Sequence, residues 1–267
     1  MYFAHLAESS ETPKSVVSAT KGNHGQSVGF AARRYGIPAT IVVPHGNSIE
    51  KNNAMRSLGV KLLEHGDDFQ SAREFAIKMA HENSLKMIPS FDPQLVTGVA
   101  TYSLELFKSV KDLDVAYVPI GLGSGICGML AVRDALKLKT KIVGVVSVHA
   151  SSYAESFTSR RPVESPVNTK IADGMACRVP EKSALEIIWK GVERIVQVSD
   201  GEIAEAMRIL HECTHNVFEG SGAAAYAAAM QESSGIKGCK VAVIASGGTI
   251  DREVYAAVLN GEIFAAL

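Results

Sequence analysis

The stretch Val118-Pro119-Ile120-Gly121-Leu122-Gly123-Ser124-Gly125-Ile126, near the middle of the 267-residue chain, restricts the fold more than any other. An apolar run over 115–120 stops at alternating glycines, and an amphipathic segment over 126–138 follows. That order predicts a buried strand, a tight loop and a helix. Without Cβ atoms the glycines let successive backbone N–H groups point into one concavity, where the helix dipole adds positive potential. A loop of this make is suited to an anion, and a phosphate fits it best.

Strands and helices alternate on either side of this loop. The pattern predicts strands at 15–19, 39–43, 60–64, about 86–88, 141–147, 195–198 and 240–245. Helices are expected at 26–35, 49–58, 67–81, 93–108 and 223–231, with others opening at Ser199-Asp200-Gly201-Glu202, which has capping-box character, and after Ser246-Gly247-Gly248-Thr249. The chain opens on what reads as the tail of a helix over 2–8, and 150–181, with Pro162, Pro166 and Pro180, reads as a surface excursion. Alternation of this kind indicates βαβ units and an α/β fold of two open parallel sheets. A soft boundary over 91–101 would divide a smaller α/β domain, 15–95, from a larger one, 96–267, with 1–14 a remnant of the larger.

Composition excludes several classes. Net charge is −1, so nothing argues for nucleic acid or an acidic membrane surface. No apolar run approaches a membrane span, and the opening MYFAHLAESSE lacks a signal peptide's basic start and cleavage site. The cysteines at 127, 177, 213 and 239 form no CxxC pair and suit a reducing cytoplasm.

Three loops at predicted strand ends are rich in glycine and polar residues: 20–25, 121–125 and 246–249. Ligands of open parallel sheets bind at such ends. Gly123 to Gly128 fits G-x-G-x-x-G, but the tail of the next strand, Val146-Ser147-Val148-His149-Ala150, lacks the acid that would hold a dinucleotide ribose. A tight turn with no ligand stays open for this loop. Thr20-Lys21-Gly22-Asn23-His24-Gly25 could hold a carboxylate on its amides, and Asn23 could contact a phenolic oxygen. It reads equally well as a helix capped by Asn23, with His24 structural and Lys21 a solvated charge. Glu219-Gly220-Ser221-Gly222-Ala223 alone is a helix start with a favourable carboxylate.

Taken together, 18–27, Ala39-Thr40-Ile41-Val42-Val43-Pro44, and Lys51 with Met55-Arg56-Ser57-Leu58-Gly59-Val60 resemble the threonine/serine dehydratases, pyridoxal-phosphate enzymes of fold type II. The 121–125, 219–223 and 246–248 motifs resemble that family's later motifs in the right order, and the likeness covers nearly the whole chain. In 118–128 and Thr214-His215-Asn216 it is most similar to the branch associated with hydroxyectoine breakdown. The resemblance implies two parallel-sheet domains with pyridoxal 5′-phosphate in the cleft between them. It implies that Gly121, Leu122, Gly123, Ser124 and Gly125 bind the cofactor phosphate and that Asn23 meets its 3′ oxygen. Ser246 would meet the pyridine nitrogen as a neutral hydroxyl, with Glu219 beside the ring. The substrate carboxylate would fall to Thr20, Lys21, Gly22, Asn23 and His24.

The implied reaction is β-elimination from a hydroxy amino acid such as threonine or serine, giving a 2-oxo acid and ammonia, in a cytoplasmic homo-oligomer, a dimer. The family's cofactor-tethering lysine lies in a Ser-Phe-Lys-x-Arg-Gly segment upstream of the opening helix, and no lysine here has that context. The chain is therefore expected to be N-terminally truncated and impaired, with no catalytic residue assigned within it. The acidic metal ligands some relatives carry are replaced by Ser147, Ser151 and Tyr153, so no metal is expected. Other readings are a hydroxyaspartate dehydratase, an amino-acid racemase, a nicotinamide-dependent oxidoreductase, and a non-catalytic remnant that binds only cofactor or a partner.

Overall fold

Strands and helices alternate along the described residues, 2–8 and 12–262, of the computed structural model. They assort into two compact units, one running to Gln94 with Thr249–Asp251 added, the other Leu95–Gly248 and the chain from Arg252 on.

The first unit carries β1 (Val16–Ala19), β2 (Ala39–Val43), β3 (Lys61–Glu64) and β4 (Lys86–Met87) in the order β3-β2-β1-β4, all parallel. Val16 stands opposite both Ala39 and Lys86. Alternate side chains of one strand feed two different cores. Val16, Ile41 and Val43 pack with Val28 and Ala32 of α2 (Asn23–Arg34), Met55 of α3 (Ile49–Ser57) and Phe3 of α1 (Tyr2–Glu8). Val17, Ala19 and Val42 pack with Ala72, Ala76 and Ala80, which recur every fourth residue along α4 (Phe69–Glu82). Burial on both faces explains why these strands read as unbroken apolar runs. Helix α3 is capped by the Ser48 hydroxyl, which accepts from the Lys51 amide, and by Asp251, whose carboxylate accepts from the Ser48 hydroxyl (2.7 Å) and the Glu50 amide (2.9 Å).

In the second unit β5 (Val115–Pro119), β6 (Lys141–Ser147), β7 (Arg194–Val198) and β8 (Val241–Val243) are parallel in the order β7-β6-β5-β8. Helix α5 (Pro93–Ser109) leads in, and α6 (Ser124–Ala135) follows β5. The helices α9 (Asp200–Thr214) and α10 (Gly220–Gln231) pack on each other, and α10 also lies on β5. Nine of the twelve residues of GSGAAAYAAAMQ are buried, all of them Gly, Ser or Ala, so small side chains let this helix approach the sheet closely. The capping box expected at Ser199 is present, with Ser199 Oγ accepting from the Glu202 amide and Glu202 from the Ser199 amide. Tyr117 donates to Glu232 (2.6 Å), and Arg194 Nε donates to the same carboxylate (2.9 Å), joining β5, β7 and the end of α10.

One segment departs from the sequence reading. The stretch 150–181 is not a surface excursion: it contains α7 (Ser152–Ser159) and a short 3₁₀ turn, Asp173–Met175, and it buries Tyr153, Ile171, Ala172 and Met175. Helix α8 (Lys182–Gly191), also not anticipated, buries Ala184, Leu185 and Ile188. The hydroxyls of α7 find carbonyls at a distance, Ser152 on Cys177 (2.7 Å) and Ser156 on Val163, so a serine-rich stretch is buried without stranding polar groups. Strand β8 is shorter than the predicted 240–245, and α2 begins at Asn23, three residues before its predicted start. The last helix, α11 (Arg252–Leu259), follows the 246–249 loop as expected.

Candidate functional site

In the second unit β5 ends at Pro119 and α6 begins at Ser124, with Gly123 at its N-cap in a left-handed conformation, φ +97°. A side chain there would be strained, and its Cβ would come 2.9 Å from Ala184 Cβ. The first intrahelical bond is Cys127 N–H to Gly123 C=O. Among the described residues the amides of 121–126 donate to no protein acceptor. They are a run of neighbouring donors at a helix N-terminus, the arrangement that binds phosphate. Ser124 adds a partly exposed hydroxyl.

The loop is held from several directions. Tyr102 of α5 donates to Gly125 C=O (3.1 Å), and Tyr153 of α7 donates to Leu122 C=O (2.8 Å). The carbonyl of Gly174 lies 2.5 Å from where a Gly121 Cβ would stand, so any side chain at 121 would expel the 3₁₀ turn. The other side of Gly174 faces Ser221 Oγ and Glu219 Oε1, at 2.8 and 3.8 Å from its Cβ position. Buried Asp200 fixes this segment by accepting from the Thr169 hydroxyl (2.7 Å) and the Lys170 amide (2.6 Å). Ile171–Gly174 is thus a wall of the site that the sequence reading missed. Its only cue was the small-residue run Ala172-Asp173-Gly174.

Glu219 is 2 % exposed at the N-cap of α10, where its side chain makes no capping bond and its amide donates to Gly247 C=O (3.1 Å). Gly247 O lies 2.3 Å from the Cβ position of Gly222, so the loop beyond β8 is pressed against the start of α10. Ser246, just before Gly247 in the chain, is exposed. Since β8 pairs with β5 in parallel, the loops 121–125 and 246–249 leave the same end of one sheet, and Gly174 and Gly247 bring Glu219 to it.

The first unit carries the 20–25 loop between β1 and α2. Buried Thr20 turns its hydroxyl inward, accepting from the amides of Gly22 (2.9 Å) and Gly25 (3.4 Å). Gly22 holds the N-cap, so Asn23 is the first helical residue and not the cap. The stem of buried Lys51 lies against Gly22, and a Cβ there would come 2.3 Å from Lys51 Cδ. His24 Nε2 stands 3.2 Å from Ser18 Oγ, which donates its own proton to Ile88 C=O (2.8 Å). Ser18 can then only accept from the ring, which makes His24 the Nε2–H tautomer. Burial pushes its pKa down to about 4, so the imidazole is neutral near pH 7 and structural. Lys21 is partly buried, and Asn23 is exposed at the helix start.

Among the described residues no cluster of three or more His, Cys, Asp or Glu could hold a metal ion, and no helix is long and apolar enough to cross a membrane. Cys127 and Cys177 are buried and belong to no disulfide, and burial pushes Cys127 up to about 12.

A family profile described as "Pyridoxal-phosphate dependent enzyme" matches residues 1–247. The L-threonine ammonia-lyase of Thermotoga maritima is 34% identical over 258 residues, covering 96% of the chain, while the chain spans 64% of that relative's length. The processed form of threonine deaminase isoform 2 from Solanum lycopersicum superposes with a TM-score of 0.88 at 29% identity, over 97% of this chain and 77% of that one. Serine racemase from Dictyostelium discoideum gives 0.79 at 28% identity, over 90% and 78%.

Proposed function

Because the chain belongs to the family of pyridoxal-phosphate dependent enzymes, we propose that it is a threonine/serine dehydratase, releasing ammonia and a 2-oxo acid from a hydroxy amino acid. The observation that carries this is the run of unpaired amides over 121–126, which matches a phosphate's need for several donors at a helix N-terminus. Gly121, Leu122, Gly123, Ser124 and Gly125 bind the phosphate in this reading. The bound cofactor supplies an electron sink for the carbanion at the substrate Cα. The hydroxyl of exposed Ser246 is assigned to the pyridine nitrogen, which it can meet without charging it. Glu219, buried at the end of the same sheet, is assigned to the side of the ring.

Asn23 is assigned to the cofactor's 3′ oxygen. The 20–24 loop, Thr20, Lys21, Gly22, Asn23 and His24, is assigned to the substrate carboxylate. Within it Thr20 and His24 shape the loop through Gly22, Gly25 and Ser18. The working form is proposed to be a homodimer, which sedimentation checks.

The test measures ammonia and 2-oxo acid from L-threonine and L-serine. It uses the chain alone, the chain preceded by a family-type Ser-Phe-Lys-x-Arg-Gly segment, and a Lys→Ala version of that extension. Turnover that depends on the lysine supports the dehydratase. The likeness to a serine racemase favours one second reading: interconversion of L- and D-serine without ammonia would replace the elimination by racemisation. Neither activity in any form overturns both.

A further inference from the structure

We propose that Tyr153 is a positioning residue for the phosphate loop: its hydroxyl bridges the Leu122 carbonyl and the Glu181 amide and so aims the loop's donors. The inference rests on the reading that 121–125 holds the cofactor phosphate, and it adds a side chain that reading does not use. Tyr153 is 1% exposed, and its hydroxyl is used in both directions, donating to Leu122 C=O (2.8 Å) and accepting from the Glu181 amide (3.0 Å). Glu181 is the N-cap of α8, so one oxygen ties the glycine loop to the starts of α7 and α8.

The consequence follows from peptide geometry. In a trans peptide the C=O and N–H point in opposite directions. Drawing the Leu122 carbonyl back to Tyr153 therefore turns the Gly123 N–H to the opposite side of that peptide plane. Gly123 N–H belongs to the unpaired run, so the anchor behind the loop sets the direction of a donor in front of it. The space behind is filled: a Cβ on Gly123 would meet Ala184 Cβ at 2.9 Å, Ile188 Cδ1 at 3.6 Å and the Tyr153 hydroxyl at 3.6 Å. Burial raises the phenol well above its ordinary pKa, so the donor to Leu122 is kept across the working pH range. Tyr153 is not placed against any reacting atom, and its effect passes entirely through Leu122 and Gly123.

The experiment titrates the full chain with pyridoxine 5′-phosphate, which lacks an aldehyde and cannot label surface lysines. Calorimetry reads the affinity and the ³¹P resonance reads the phosphate's surroundings. Tyr153→Phe, which keeps the ring and removes the bridge, is expected to weaken binding about five- to tenfold, the loss of about one hydrogen bond's net contribution, and to move the bound ³¹P resonance toward its free position. Tyr117→Phe, which removes a buried hydroxyl bonded to Glu232 instead, is expected to change neither. Glu181→Pro deletes the other half of the bridge at φ −73°, an angle proline adopts, together with the carboxylate that accepts from the Ser183 hydroxyl, and is expected to weaken binding less, in the same direction. Tyr153→Phe with affinity within about twofold of the parent and an unmoved resonance overturns the inference. If that variant does not fold, the same two results from Glu181→Pro decide. Failure of the site reading looks different: the parent chain binds nothing, or Gly123→Asp binds as well as the parent, and the inference then falls with it.

Discussion

The loops after β1 and β5 share one grammar, a buried parallel strand, a glycine turn and a helix start, yet they dispose of their amides differently. In 20–25 the chain supplies its own acceptor, since Thr20 Oγ1 takes the amides of Gly22 and Gly25. In 121–126 the one hydroxyl, on Ser124, takes none of the loop's amides, and these stay unpaired while the carbonyls of Leu122 and Gly125 are pulled away by Tyr153 and Tyr102. A loop becomes an anion cradle by having its acceptors drawn off from behind, as much as by containing glycine.

The largest expected effect tests that contrast directly. Gly123→Asp puts a carboxylate among converging N–H groups and forces an L-residue to φ +97°. Binding of pyridoxine 5′-phosphate should weaken by roughly 10- to 100-fold, about 1–3 kcal/mol, in calorimetry. Unchanged affinity would make the two loops equivalent and remove the cradle.

The second effect belongs to the first loop alone. His24 has its pKa lowered to about 4 from 6.5, so between those values the unfolded chain binds more protons than the folded one. Stability is therefore full above about pH 6.5 and is lost as pH falls toward 4, by at most about 3 kcal/mol. Urea melts across that window measure it. His24→Gln should flatten the acid limb, and an unaltered limb in that variant would assign it to other groups.

Thr20→Val comes third. Two amides lose their acceptor, so melting should show a loss of about 1–2 kcal/mol, while phosphate-ester affinity at 121–126 stays within about twofold. A large change in affinity would show that the loops are not independent in their chemistry. The smallest effect is expected for Ser124→Ala: one hydroxyl leaves a site that backbone amides dominate, so stability should move by less than about 0.5 kcal/mol and affinity by about two- to threefold. Loss of binding there would shift the weight from backbone to side chain.

Much of this was legible in the chain. The strands at 39–43 and 141–147 coincide with prediction because both sheet faces are covered and the apolar runs are unbroken. The loops stand out because glycine next to a strand end has few other uses. What stayed hidden depends on contacts far apart in sequence. In α7, Ser-Tyr-Ala-Glu-Ser-Phe-Thr-Ser reads as a loop until its hydroxyls reach Cys177 and Val163, and Tyr153 acts on a residue 31 positions away. Helix α8 was recoverable: Ala184, Leu185 and Ile188 have the i, i+1, i+4 spacing of a buried helical face, masked by the prolines before it.

The cap of α3 has a consequence for the order of assembly. Asp251 closes that helix from 203 residues away along the chain, through the Ser48 hydroxyl. Burial alone would raise its carboxyl, but the amides of Glu50 and Ile49 and the Ser48 hydroxyl outweigh this and hold it below the usual range. During synthesis the first unit's strands emerge well before Asp251, the partner for the exposed turn at Ile49 and Glu50. Until then Ser48 is the only one of these two caps available to α3. Contacts of such sequence separation form late and slowly. The strands of the first unit can therefore pair before α3 has its second cap, and that helix gains its full set of capping bonds only when Asp251 reaches it.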